Sequence, residues 1–268
     1  MDSNMQGEDA DIDFLKDIIV QVSDSYRGDR RVEFSIGGGN VLLYPHLEEL
    51  FDFMHERKHI INTTINIKDC KRILEHDYLL HLFKKYVSGI GVSVSSDEDL
   101  NDLSKFEKEF CKWERYEYNR RREVVVHLIP ELLGAEKTSS LISKLATLGI
   151  FKILFLGYKT NGRGITQKHT VFSDSELSDI FKCISDISVD TTFANTYREW
   201  LEKNFSTDYT ITYNEGEYSM YVDGVTKKGY KSSYQLEKPY DLSAIRLVSV
   251  FREIREANGF KTLDINDY

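Results

Sequence analysis

The sequence contains no C-x-x-x-C-x-x-C motif, and its three cysteines, Cys70, Cys111 and Cys183, stand too far apart for a disulfide framework or a close-spaced metal cradle. They read as buried thiols of a reducing compartment. Proline is equally scarce, with three residues, and no stretch rich in proline, glycine or serine divides the chain into parts. No uninterrupted apolar run approaches the roughly 18 residues of a membrane-crossing helix. Positive charge is also short: a net charge of -9 opposes attraction to nucleic-acid backbone, so nucleic acid is not expected as a direct partner. The one compact basic cluster, Arg120 to Arg122, is better explained as a solvated helix end. The amino terminus, MDSNMQGEDADID, has the features of neither a signal nor a transit peptide. Together these absences predict a cytoplasmic protein with no membrane partner.

What is present is 268 residues with 41% hydrophobic and 12% aromatic content, enough for one barrel-sized domain with a real core. Residues 1–10 have nothing to bury and are expected to be disordered. Residues 11–268 are expected to form the domain, with an appendage from about residue 173. Apolar spacing at Ile12, Leu15, Ile18, Ile19 and Val22 predicts a first helix over 11–26. Apolar, β-branched runs at 32–36, 60–65, 90–94, 123–129 and 152–157 predict strands. Their centres, near Phe34, Asn62, Val92, Val126 and Leu154, fall about 30 residues apart, the length of a strand-helix-strand unit. Helical patterns intervene at 45–57, 69–74, 78–87, 97–120 and 139–148. The pattern predicts an α/β fold with about five parallel strands, as an open doubly wound sheet or as a (β/α) barrel. Later, 173–187 and 191–204 read as helices, and Asn214-Glu215-Gly216 reads as a hairpin turn between 209–213 and 217–222. A helix over 241–258, capped by Gly259, closes the chain.

The stretch VEFSIGGGNVLLYPHLEEL, residues 32–50, passes from a strand-like run through three glycines to Asn40 and then to Pro45 at a helix start. Glycines at the carboxyl end of a strand let the backbone approach a ligand, although a turn alone accounts for them equally well. Gly38-Gly39-Asn40-Val41-Leu42-Leu43-Tyr44-Pro45 resembles the Gly-Gly-Glu-Pro segment of radical SAM enzymes. In that family the segment ends the second barrel strand, and its Glu holds the amino group of S-adenosylmethionine. Asn40 stands here at the acidic position and Val41 at the proline position. An amide there can donate and accept hydrogen bonds but cannot supply negative charge. Residues 124–145, 152–164, 188–201 and 217–233 extend the resemblance, most of all to small phage-encoded members, over most of the chain. It implies a partial (β/α) barrel with a C-terminal β-hairpin and helix. It also implies a loop with three cysteines for a [4Fe-4S] cluster, and this chain opens directly with the helix that follows that loop. Two accounts compete. In the preferred one the chain is a whole protein starting at its own Met1, with a barrel repurposed for binding; in the other it is a fragment or half of a split enzyme.

The carboxyl ends of the expected strands supply the candidate ligand-binding residues: Gly38, Gly39, Asn40, Thr64, Asn66, Ser93, Ser95, His127, Glu131, Lys159 and Arg163. With two cations and glycines they suit a nucleotide-like or otherwise anionic molecule. Serine and threonine at such places also cap helices, and His127 inside an apolar strand reads first as a core histidine. No catalytic residue and no metal ligand is assigned. No cofactor is expected, S-adenosylmethionine or a related nucleotide being the small molecule that the resemblance offers. The expected function is that of a catalytically degenerate radical-SAM-like binding or regulatory module. It would be a phage factor that engages a host protein, such as a defence component, or sequesters a nucleotide-like metabolite. The alternative is a truncated or split radical SAM enzyme that uses S-adenosylmethionine and a cluster supplied from another segment. An unrelated barrel enzyme would need catalytic carboxylates at strand ends, where Glu131 is the one candidate.

Overall fold

A computed structural model describes residues 7–25, 31–112, 122–159, 168–182, 187–205 and 211–260. Helix α1 (Ile12–Ser25) starts where the Asp11 carboxylate accepts the Asp13 and Phe14 backbone N–H groups at 3.0 and 3.2 Å. Strand β1 (Glu33–Ile36) runs into the glycine turn, a single 3-10 turn at Val41–Leu43 and helix α2 (Leu47–Glu56). The helix expected from Pro45 therefore starts two residues later, after that extra turn. Strand β2 (Ile60–Asn66) leads to α3 (Ile67–Glu75) and α4 (Asp77–Tyr86), then β3 (Gly89–Ser93) and α5 (Leu100–Cys111). Strand β4 (Glu123–Leu128), the short α6 (Pro130–Leu133), α7 (Ala135–Thr147) and β5 (Ile153–Phe155) follow.

A sixth strand completes the sheet. Helix α8 (Asp174–Phe181) stops well short of residue 187, and β6 (Ile187–Val189) occupies the end of the segment expected to be helical. Three residues are too few for a visible alternation, which is why five strands, not six, are expected from the pattern. Helices α9 (Thr191–Thr196) and α10 (Arg198–Asn204) come next.

The six strands are all parallel and lie in the order β1-β2-β3-β4-β5-β6. Right-handed crossovers that always step the same way leave every connecting helix on one face of the sheet. A doubly wound sheet needs a reversal of strand order, and none is present. The fold is the partial barrel.

Side-chain alternation then separates two faces. Ile61, Ile65, Ile90, Val92, Val124, Val126, Leu128, Ile153 and Phe155 are buried against the helices, in a core with Phe51 and Met54 of α2 and Phe106 and Phe110 of α5. The other face carries Asn62, Thr64, Asn66, Gly89, Gly91, Ser93 and His127. Val125 and Leu154 share this face, level with Gly91 and His127, so it is polar and small at β2 and β3 and mixed at β4 and β5.

The appendage is a separate antiparallel sheet of β7 (Tyr221–Asp223), β8 (Lys228–Tyr230) and β9 (Tyr240–Asp241), followed by α11 (Leu247–Ala257). The hairpin falls later than the sequence suggests. Residues 224–227 make its turn, while Asn214-Glu215-Gly216 forms a turn outside the sheet, because the Tyr213 carbonyl is held at 2.7 Å by the Asn195 amide instead of by a strand. Gly216, at φ 79°, lies under Ile254 and Lys231. Helix α11 is shorter than expected at its start, and Gly259 at φ 76° ends it. Phe14, Ile18 and Val22 of α1 pack with Leu242, Leu247, Val250 and Ile254 in a second small core. The Gln21 side chain accepts the Leu247 N–H at 2.8 Å, so the first helix starts the last one.

Candidate functional site

The carboxyl ends of the strands form one edge, and most of the sequence-predicted site residues lie along it. Register places Asn66 beside Ser93, and Ser93 beside His127, in one lateral row; Thr64 is level with Gly91 one step below. Thr63, in contrast, points to the helix side and donates to the Ile36 carbonyl at 2.9 Å.

At the β1 end, Gly38 and Gly39 take positive φ of 102° and 29°, and a β-carbon on either would meet nothing within 4 Å. This backbone is open to an incoming group. Asn40 is engaged in structure: its Oδ1 accepts the Leu42 N–H at 3.0 Å and its amide donates to Asp69 at 3.2 Å. Asn66 caps α3 through Lys68 N–H at 3.0 Å, in a capping box closed by the same Asp69. Ser93 and Ser95 are exposed.

At the β4 to β6 ends the residues are titratable and enclosed. The His127 imidazole lies across Gly91, where a β-carbon would stand 2.2 Å from its Cε1. Burial pushes its pKa down to about 4, Asp190 opposing and Lys159 reinforcing the shift. Glu131, in the first turn after β4, is 3% exposed, and neither carboxylate oxygen has a hydrogen-bond partner. Burial lifts its pKa to about 7; nearby N–H groups of Glu131 itself and Tyr158 offset only part of this, and Asp190 adds to it. Lys159 pairs with Asp190 at 3.2 Å and lies 4.4 Å from the centre of the Tyr234 ring. Arg163 falls outside the described residues.

Sequence reasoning missed Asp190. Its Oδ1 accepts the Gly157 and Phe193 N–H groups, both at 2.8 Å, tying the β5 end to the start of α9. The signal was available in Val189-Asp190-Thr191-Thr192, an Asp at the cap position between a short β-branched run and a helix. The appendage adds Tyr234, whose hydroxyl donates to Glu215 at 2.6 Å and lies 3.2 Å from the Thr191 hydroxyl. Tyr158 and His169 stack with centroids 4.0 Å apart. The sequence is expected to hold no zinc signature, yet His55-Glu56-Arg57-Lys58-His59 spells H-E-x-x-H. That motif needs both histidines on one helix, but α2 ends at Glu56, Lys58 takes φ 61°, and the His59 ring bonds the Ser23 hydroxyl at 2.8 Å.

No family model and no curated protein matches the sequence. Solved structures do match, and they define the class: the fold is that of the radical SAM enzymes. Streptococcus suis SuiB matches with a TM-score of 0.63 at 13% identity, over 97% of this chain and 64% of SuiB. SuiB bound to its precursor peptide SuiA gives 0.64 at 13%, over 93% and 60%. The anSMEcpe enzyme with bound AdoMet gives 0.55 at 10%, over 93% and 72%. The chain thus spans less than two thirds of the length of SuiB. At these identities the likeness speaks for fold. It nevertheless corrects the expectation that no cofactor is bound, because SuiB and anSMEcpe both hold S-adenosylmethionine in this architecture.

The iron-sulfur cluster is a different matter, because the residues described here do not fit it. Cys70 is fully buried in α3, with its thiol pushed up to about 12, and Cys111 lies in α5 with its thiol at about 11, burial being the main cause for each. Cys183 is outside the described residues. Among the described residues no group of three or more His, Cys, Asp or Glu could hold a metal ion, and no helix is long and apolar enough to cross a membrane.

Proposed function

We propose that this chain is a recognition protein on a radical-SAM-type partial barrel, taking an S-adenosylmethionine-like nucleotide and a peptide segment of a protein partner at the carboxyl edge of β1 to β6. It performs no radical chemistry with its own residues. The observation that carries this reading is the make-up of that edge. The open glycine turn, the Asn66-Ser93-His127 row and the Glu131 and Asp190 carboxylates supply polar groups, while Cys70 and Cys111 lie in helices behind the sheet. The nucleotide half is supported by SuiB and anSMEcpe, which hold S-adenosylmethionine in the same fold. The peptide half is supported by SuiB bound to SuiA and by anSMEcpe with its Kp18Cys peptide. Resemblance to small phage-encoded members supports a host-cell protein as the partner.

Calorimetric titration with S-adenosylmethionine and capture from host lysate test the two halves. Saturable nucleotide binding and a stoichiometric partner are expected; a protein that binds neither overturns the proposal. A second reading, an enzyme whose cluster comes from another polypeptide, is favoured by β1 standing at a sheet edge with no outer strand among the described residues. Anaerobic reconstitution with iron and sulfide decides between them. A stoichiometric visible chromophore supports the enzyme, and a colourless protein supports recognition.

A further inference from the structure

Glu131 is the one described carboxylate that is fully buried with neither oxygen in a hydrogen bond of ordinary geometry; the N–H groups of Glu131 and Tyr158 lie close enough to offset only part of its burial. A folded protein bears such a group at considerable cost unless something else meets it. The surroundings indicate what that is. The Thr170 N–H holds the Glu131 backbone carbonyl at 2.9 Å, and the preceding residue, His169, stacks on Tyr158, whose N–H lies near the Glu131 carboxyl. Asp190 adds negative potential, and Lys159, the nearby cation, is already engaged by Asp190 and by the Tyr234 ring. His127 contributes no positive charge near neutrality.

We propose that Glu131 anchors a basic side chain of the partner peptide, the ammonium of a lysine or the guanidinium of an arginine, entering between the ends of β4 and β5. The inference rests on the peptide half of the proposed function. A cation fits where an anion would face two carboxylates. It is organic because no metal-holding group exists among the described residues. Lysine offers three donors and arginine five, enough to satisfy both oxygens, and the stacked aromatic pair suits the hydrocarbon stem. An overall charge of -9 steers a basic segment towards the protein.

The titratable groups around Glu131 are His127 on β4, Lys159 after β5, Asp190 after β6, His169 in the segment before α8 and Tyr197 between α9 and α10. A cation on Glu131 displaces its proton, so binding tightens as pH rises from 6 to 8.

The test is protein-observed NMR titration with the N-acetyl methylamides of lysine and arginine, against those of norleucine and citrulline as neutral counterparts. The charged probes are expected to bind about tenfold tighter than the neutral ones, a preference that tightens with pH and disappears in Glu131→Gln. Glu131→Asp, which keeps the charge, should retain part of it and guards against a folding artefact in the glutamine variant. Equal binding of charged and neutral probes, or charged binding unchanged in Glu131→Gln, overturns the inference. If nucleotide binding and partner capture persist while the cationic probes fail, this inference alone falls.

Discussion

Replacing Glu131 by glutamine removes a buried acid at nearly constant volume, and its effect on stability follows from the proton balance. Burial raises the carboxyl from 4.5 to about 7, so the folded state keeps a proton that the unfolded chain has already lost. This contribution is therefore fully present below pH 4.5 and is lost as pH rises towards 7. At 1.36 kcal/mol per pKa unit the loss is about 3 kcal/mol. His127 runs the other way: its pKa falls from 6.5 to about 4, so its contribution is present above pH 6.5 and is lost as pH falls towards 4. Between pH 4.5 and 6.5 the native protein holds its proton on Glu131 and the unfolded chain holds one on His127, so the pair adds almost no slope to the wild type. Glu131→Gln unmasks the histidine. Urea unfolding of both proteins from pH 4 to pH 8 gives a difference curve in which every other carboxylate cancels. The difference should be near zero at pH 4 and reach about 3 kcal/mol in favour of the variant at pH 8. A difference that does not change with pH would mean that the Glu131 carboxyl is not desolvated in the folded protein, and the argument for an orphaned group would fail with it.

Removing the histidine gives the mirror image: His127→Gln should gain stability relative to wild type below pH 5 and change little above pH 7, read by the same unfolding series. Gly91→Ala puts a methyl group 2.2 Å from the His127 ring and should cost about 1–3 kcal/mol while shifting the imidazole NMR signals. Gly157→Ala meets backbone at 2.3 Å, the amide nitrogen of Phe193, which cannot rotate away; about 3 kcal/mol or more is expected, measured as a loss in unfolding midpoint. Asp190→Ala removes the cap of α9, orphans the Gly157 N–H and frees Lys159, for about 2 kcal/mol, while Asp190→Asn should keep most of the cap.

The sheet was legible because each long strand carries a complete signal. Ile60 to Ile65 and Glu123 to Leu128 are long enough to show β-branched composition, and their regular separation implies parallel pairing. Strand β6 has three residues and no such signal, and its end is where Asp190 sits. Asp190 was therefore overlooked together with the strand that carries it, its cap position before Thr191 being the one local signal. Glu131 and Lys159 could be named from strand ends, but a sequence does not say that one of them is without a partner and the other engaged. Asn40 carries a role that its place in a glycine turn does not announce: the fold employs its side chain in a cap and in a bond to Asp69.

One physical consequence follows from how the edge is divided. The β1 to β3 half is exposed, carries small uncharged groups, and has its amides fixed by caps, so a ligand there meets backbone and hydroxyls. The β4 to β6 half is enclosed, and Glu131, lifted to about 7, is its group that titrates near neutrality, so an occupant that pairs with Glu131 changes its protonation. An occupant of the first half should bind with little dependence on pH between 6 and 8, and an occupant of the second with a strong one. Titrating S-adenosylmethionine and the cationic probes across that range, each alone, therefore assigns each ligand to its half of the edge. Strong pH dependence for the nucleotide that disappears in Glu131→Gln would place it on Glu131 and displace the peptide anchor proposed for that residue.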